Sequence, residues 1–164
     1  MKTQDKHCSI PEVLSEFNVR VANSDYGRTG QYAGMFVDSG SLLEIVQRLY
    51  DVGYILEDIS GVDVEEGILL VYHFDRLDRA GRIAVRVLTS HEAPVVPSVV
   101  SIFSGADWHE RECYDFFGVL FEGHPNLKPL LLPDDLGFHP LIKENNRRSL
   151  YALLPFEQMV AGAN

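Results

Sequence analysis

Ser41-Leu-Leu-Glu-Ile-Val-Gln-Arg-Leu-Tyr-Asp-Val-Gly53 is the stretch from which the fold is read. Leu42, Ile45, Val46 and Leu49 fall at i, i+3, i+4 and i+7, which is one apolar face of a helix. Ser41 and Glu44 stand three apart and read as a capping box, in which hydroxyl and carboxylate each take an orphan N–H. Gly53 stands where a glycine ends a helix. Working outward, three strand candidates follow: Tyr54 to Ser60, Gly67 to Phe74 and Arg82 to Thr89. The third alternates, with Ile83, Val85 and Val87 on one side and Arg82, Ala84 and Arg86 on the other. Asp75 to Gly81 is polar and short, so the last two strands are expected to form an antiparallel hairpin. Met35 to Val37 is a further short strand candidate. A helix followed by a meander specifies an α+β domain: a small, mainly antiparallel sheet covered by helices.

Upstream, Val13 to Val21 reads as a short helix or strand, and Asp25 to Gly30 as a glycine-punctuated loop. Downstream, Pro97 suits the opening of a helix through about Phe103. Asp107 and Glu110 offer a second cap, for a helix to about Phe117 that stops at Gly118. Five of the eight prolines (Pro125, Pro129, Pro133, Pro140 and Pro155) then follow. Prolines this close together forbid a long helix or a central strand. Leu127, Leu130, Leu131, Leu132, Phe138, Leu141 and Ile142 lie among them, so this extended tail must rest on its own domain or on a partner. The organisation expected is an α+β domain over 1–118 and an extended C-terminal segment over 119–164.

Composition removes several function classes. The chain has 164 residues, a length that buries a full core without staples. Its formal net charge of −10 argues against tracking nucleic-acid phosphate or anionic lipid. No apolar run approaches the roughly 18 residues of a spanning helix, and the N-terminus has no signal-peptide core, so the chain reads as cytosolic. Cys8 and Cys113 are too few for a disulfide scaffold or an iron–sulfur cluster. Neither G-x-G-x-x-G nor G-x-x-x-x-G-K-S/T occurs.

The densest stretch is Trp108-His-Glu-Arg-Glu-Cys-Tyr-Asp-Phe-Phe-Gly118. Arg111 and Asp115 stand at i, i+4 and can pair. Glu110, Glu112 and Asp115 point around most of a helix, as a solvated acidic turn or as a polar contact surface for a partner. Glu110 and Asp115 make a poor acid/base pair, since five residues apart they point to different sides. His109, Cys113, His124 and His139 invite a metal reading, with His109 and Cys113 at i, i+4. Their spacing matches no zinc pattern. Both His124 and His139 precede a proline, so structural rings bonded to backbone or carboxylate are expected.

Glu110-Arg-Glu-x-x-Asp115-Phe-Phe117, followed after six residues by His124, resembles the signature of the 30 kDa, or C, subunit of NADH:quinone oxidoreductase (complex I). The resemblance continues through Glu122-Gly-His-Pro125, Leu132-Pro133, Asp135, His139-Pro-Leu141 and Lys143, about 40 residues in all. The homologous subunit of membrane-bound energy-converting nickel–iron hydrogenases shares it. The chain departs from the pattern at Leu136, where the family has Trp, at Phe138, where it has Gly, and at Ile142, where it has Arg. Glu144-Asn145 replaces Asp-Tyr.

This resemblance implies a non-catalytic subunit of a peripheral arm, on the cytoplasmic side of the inner membrane, with no cofactor of its own. Iron–sulfur clusters and a flavin or nickel–iron centre are expected in other subunits. The implied partners are the large hydrogenase-like subunit (D type) and the small iron–sulfur subunit (B type). Trp108, Phe117, Phe121 and Leu132 are the implied apolar anchors of the docking surface. Glu110, Arg111, Glu112 and Asp115 would set register, so their truncation is expected to hurt assembly more than folding. His124-Pro125, Pro133, His139-Pro140 and Lys143 complete the implied interface, and the tail is expected to gain order only on binding. A free-standing adaptor and a small metal enzyme are the alternatives.

Overall fold

The computed structural model describes residues 14–150 apart from 16, 18 and 25; Cys8, Val13 and Pro155 lie outside the described residues. Five strands form one sheet in the order β1-β2-β5-β4-β3. They are β1 (Arg20–Asn23), β2 (Ala33–Phe36), β3 (Tyr54–Val64), β4 (Gly67–Arg76) and β5 (Ile83–Thr89). Every pair is antiparallel except β2 with β5, which run parallel. A single helical turn, α1 (Tyr26–Thr29), occupies part of the expected loop 25–30.

Helix α2 (Leu42–Asp51) covers one face of the sheet, and the apolar periodicity is borne out. Leu42, Ile45, Val46 and Leu49 are all fully buried, against Leu70, Tyr72 and Phe74 of β4 and Ile83, Val85 and Val87 of β5. Gly53, at φ 86, ends the helix as expected. The capping box does not form, because a cap residue needs extended backbone. That conformation belongs to Asp38 (φ −73, ψ 145), and a 3-10 turn over Ser39–Ser41 already carries Ser41 into the helical region.

β3 runs four residues past Ser60, to Val64. Gly61 does not end it, because its missing side chain is filled from another element. A Cβ there would lie 2.6 Å from the Phe117 ring. A register shift between Leu56 and Asp58 leaves Glu57 outside the ladder, where it takes two hydrogen bonds from Arg82 at 2.7 and 2.6 Å. The Pro97 helix is absent. Pro97 closes a strand, β6 (Val95–Pro97), which pairs in parallel with β7 (Leu120–Glu122). The Asp107–Glu110 cap is also absent, since Glu110 reaches inward to Ser98 and Val99. Helix α3 (Ala106–Phe117) fills the space between the two sheets, on the same face as α2. It ends at Gly118 (φ 72), as expected.

The sheet–helix fit therefore depends on bare backbone at position 61. Gly61→Val forces Phe117 off its seat and is expected to lower stability by roughly 1–3 kcal/mol in urea unfolding.

Candidate docking surface

Prolines remove N–H groups and forbid regular pairing, so the backbone after Gly123 needs acceptors and donors from elsewhere. α3 supplies them. The Asp115 Oδ2 atom accepts from the Leu130, Leu131 and Leu132 N–H groups at 2.9, 2.8 and 3.0 Å. One turn earlier, Arg111 donates through Nε to the Lys128 carbonyl at 3.2 Å and through Nη2 to the Pro129 carbonyl at 3.1 Å. Its guanidinium also lies over the Trp108 ring, 5.9 Å from the centroid. Arg111 and Asp115 thus grip the same stretch of main chain, one by its carbonyls and the other by its N–H groups. Their own ion pair is replaced by this clamp. Burial opposes the Asp115 charge more than any other single influence, yet the three N–H bonds together hold its carboxyl below the ordinary range.

The tail continues over the end of α3. His139 donates through Nδ1 to the Asp115 carbonyl (2.9 Å), and the Leu141 N–H donates to the Phe116 carbonyl (3.1 Å). Both satisfy carbonyls that a helix end leaves open. The chain then returns to β3. Asp63, almost fully buried there, accepts from the Lys143 N–H at 2.7 Å and from Arg147 Nε at 2.9 Å, and meets His91 Nε2 at 2.6 Å. Glu66 takes the Leu150 N–H at 2.8 Å, and Arg148 bridges in parallel to Val64. Up to residue 150 the tail therefore rests on its own domain, and β6–β7 pairing spans position 118.

Glu110 is the third buried carboxylate, with none of its surface exposed. Ser98 Oγ donates to it at 2.6 Å and the Val99 N–H at 2.7 Å, which fastens α3 to the segment after β6. Burial, only partly offset by these two bonds, raises its pKa to about 7. Below it the Tyr72 hydroxyl has no hydrogen-bond partner among the described residues, and burial pushes its ionisation well above the ordinary tyrosine range.

The histidines of the metal reading are held apart. His124 Nε2 sits 3.0 Å from Asp107 Oδ1 while its Nδ1 accepts from the Asn126 N–H, and His139 binds backbone. Cys113 is buried, 3.8 Å from the Ile59 carbonyl, and burial raises its thiol to about 12. Among the described residues no three His, Cys, Asp or Glu side chains group to hold a metal.

The residues of the implied interface divide by burial. Glu110, Asp115, Phe117 and Phe121 lie inside the domain. Arg111, His124 and Leu132 are half-buried, with Arg111 committed to the clamp. Trp108, Glu112, Pro125, Pro133, His139, Pro140 and Lys143 reach the surface. Beside them the fold exposes three further large apolar side chains. Leu131 is 67% exposed, Phe138 62% and Leu141 48%, alongside Trp108 at 64%. The clamp explains Leu131, because it binds that residue's main chain and leaves the side chain outward.

Known proteins share this architecture. The family model for the respiratory-chain NADH dehydrogenase 30 Kd subunit matches residues 35–149. The C-type subunit of NADH-quinone oxidoreductase from Chloroherpeton thalassium is 45% identical over 95 residues, 57% of this chain and 40% of that protein. Its counterpart from Xanthobacter autotrophicus is 39% identical over 117 residues, 66% of this chain and 54% of that protein. The matched part therefore spans about half the length of these relatives or less. Among solved structures, the trypsin-resistant fragment of Nqo5 aligns with a TM-score of 0.59 at 28% identity, over 66% of this chain and 89% of the fragment. A chain of the membrane-bound sulfane sulfur reductase, an archaeal respiratory membrane complex, shares the fold with a TM-score of 0.68 at 21% identity, over 93% of this chain and 91% of that chain.

Two outcomes follow for the buried carboxylates. Asp115→Ala leaves the Leu130, Leu131 and Leu132 N–H groups without their acceptor and is expected to cost about 2–4 kcal/mol of the domain's own stability in urea unfolding. This reverses the expectation that its loss acts mainly on assembly. For Glu110, the unfolded side chain titrates at about 4.3 and the folded one at about 7. Between these values the folded state keeps a proton that the unfolded state has lost. Stability should then fall as pH rises through this window, by on the order of 3 kcal/mol, and level off above it. Glu110→Gln should remove that slope when unfolding is compared at pH 5 and 8. Asp63 and Asp115, held below their ordinary range, act in the opposite sense at acid pH: their contribution is present above about 4 and lost below.

Proposed function

The chain belongs to the respiratory-chain NADH dehydrogenase 30 Kd subunit family, and on that premise we propose that it is a structural subunit of the peripheral arm of a complex I-like membrane oxidoreductase. In this reading it carries no active site and no cofactor. It docks onto the large hydrogenase-like subunit, with the small iron–sulfur subunit nearby, on the cytoplasmic side of the membrane. The clusters and the flavin or nickel–iron centre belong to those partners.

The observation that carries this reading is the clamp of α3 on residues 128–132. It spends the polar groups of Arg111 and Asp115 inside the chain and turns Trp108, Leu131, Phe138 and Leu141 outward. A large aromatic side chain such as Trp108 on a rigid support is the kind of residue that dominates binding energy at protein interfaces, and the exposed leucines beside it add apolar contact area. Main-chain anchoring lowers the entropy lost on docking, because the tail is already placed. Among the described residues no helix is long and apolar enough to cross a membrane, in keeping with a peripheral position. The family resemblance and the recurrence of the fold in a respiratory membrane complex support the same setting.

Gentle solubilisation of native membranes, capture through an N-terminal tag and mass spectrometry of the retained subunits test it. The wild-type chain is expected to retain a large hydrogenase-like subunit. Leu131→Asp is expected to reduce that recovery at least tenfold, while the melting temperature of the isolated chain stays within about 2 °C. Recovery of the wild-type chain alone, or equal recovery with Leu131→Asp, would contradict the proposal.

A further inference from the structure

The exposed apolar side chains of α3 and the tail are gathered around one residue. Asp115 holds the Leu130, Leu131 and Leu132 N–H groups through Oδ2 and the His139 ring through its carbonyl. Leu131 and Phe138 therefore flank the same turn of α3. The Leu141 N–H, donated to the Phe116 carbonyl, keeps Leu141 beside them. Trp108 stands seven residues earlier on the helix, about 10 Å along its axis.

Charge is distributed unevenly around these side chains. Between Trp108 and Glu144 the exposed charged residues are five acids (Glu112, Glu122, Asp134, Asp135 and Glu144) and two lysines (Lys128 and Lys143). Glu112 lies four residues after Trp108, and residues at i, i+4 are neighbours on a helix surface. Asp134 and Asp135 follow Leu131 through a turn closed by the Leu136 N–H on the Pro133 carbonyl at 3.0 Å. Chain length keeps both within about 14 Å of Leu131. Arg111, the cation of α3, is committed to the Lys128 and Pro129 carbonyls. Elsewhere, acids that reach solvent have cations of this chain: Glu44 has Arg48, Glu57 and Asp75 have Arg82, and Asp78 has Arg76. Among the described residues none of the five acids around α3 and the tail has an ion pair.

Given the docking surface proposed above, on which this depends, we infer that the partner segment it receives is basic: it seats apolar side chains on Trp108, Leu131 and Phe138 and brings lysine or arginine to Glu112, Asp134 and Asp135. Apolar anchors inside a polar, charged rim are the general layout of a protein interface, and opposite charge across the rim governs partner choice and encounter rate. The sign of the rim disfavours two other occupants. A second copy of this chain would bring acid against acid, and an anionic lipid surface would meet the same repulsion. The chain as a whole, with 24 acidic side chains against 14 basic ones, adds to this field.

Photo-cross-linking in native membranes tests this with the full chain, using Leu131→benzoylphenylalanine. The probe is expected to couple to another subunit, at a stretch carrying more Lys and Arg than Asp and Glu. Glu112→Lys with Asp135→Lys is expected to lower that yield at least tenfold, whereas Glu112→Asp with Asp135→Glu keeps it. Replacing the basic residues of the coupled stretch by Glu is expected to restore coupling of the doubly reversed chain, which a fold lost through the two substitutions would not allow. Coupling to another subunit at a neutral or acidic stretch would overturn the inference and leave the docking surface standing. So would a yield indifferent to the double reversal, or a failure of the partner's Glu substitutions to restore it. Coupling confined to lipid, to this chain or to a second copy would instead overturn the docking proposal itself, and this inference with it.

Discussion

The three main-chain hydrogen bonds to Asp115 are the constraint from which the outer half of the molecule follows. A segment with Pro125, Pro129 and Pro133 cannot form a regular helix or ladder of its own, and buried or half-buried N–H groups must be satisfied. One carboxylate on α3 answers three of them at once. That requirement sets which face of α3 turns outward, and with it the position of Trp108. It also places Leu131, whose side chain has no option but solvent or a partner. Up to residue 150 the tail has a conformation of its own because its backbone is bound, although its side chains are largely unburied.

The same device recurs at two other points. Asp63 gathers Lys143, Arg147 and His91 at the end of β3, and Glu110 gathers Ser98 and Val99 at the start of α3. Three buried carboxylates thus do for the irregular parts of this chain what ladders do for the sheet. They differ in outcome. Asp115 and Asp63 receive enough donors to stay charged, whereas Glu110 receives two bonds against full burial and is pushed toward neutrality. Tyr72, below it with an unpartnered hydroxyl, adds no donor.

The parts that can be read from sequence are those governed by local period. α2, the hairpin of β4 and β5, and the stops at Gly53 and Gly118 follow from apolar spacing and glycine conformation. The parts that cannot are governed by distant partners. Pro97 reads as a helix opener until Glu110 claims the hydrogen-bonding groups of Ser98 and Val99. Gly61 reads as a strand end until Phe117 is placed on it. Asp63 carries one sign of its role: it shares a face with the buried Ile59, where an unpaired acid would be intolerable, so a donor set had to exist. The motif from Glu110 to Asp115 identifies the family correctly, yet its two most buried members look inward. A sequence motif records which residues matter without saying on which side of the surface they act.

Amide hydrogen exchange at Leu130, Leu131 and Leu132 in the isolated full chain tests most directly whether α3 holds the tail before any partner arrives. Exchange at least a hundredfold slower than in an unstructured chain is expected, with protection close to that of the α3 amides. Exchange at unstructured-chain rates in isolation, with protection only in the membrane complex, would contradict this and would mean that the partner, not Asp115, orders the tail.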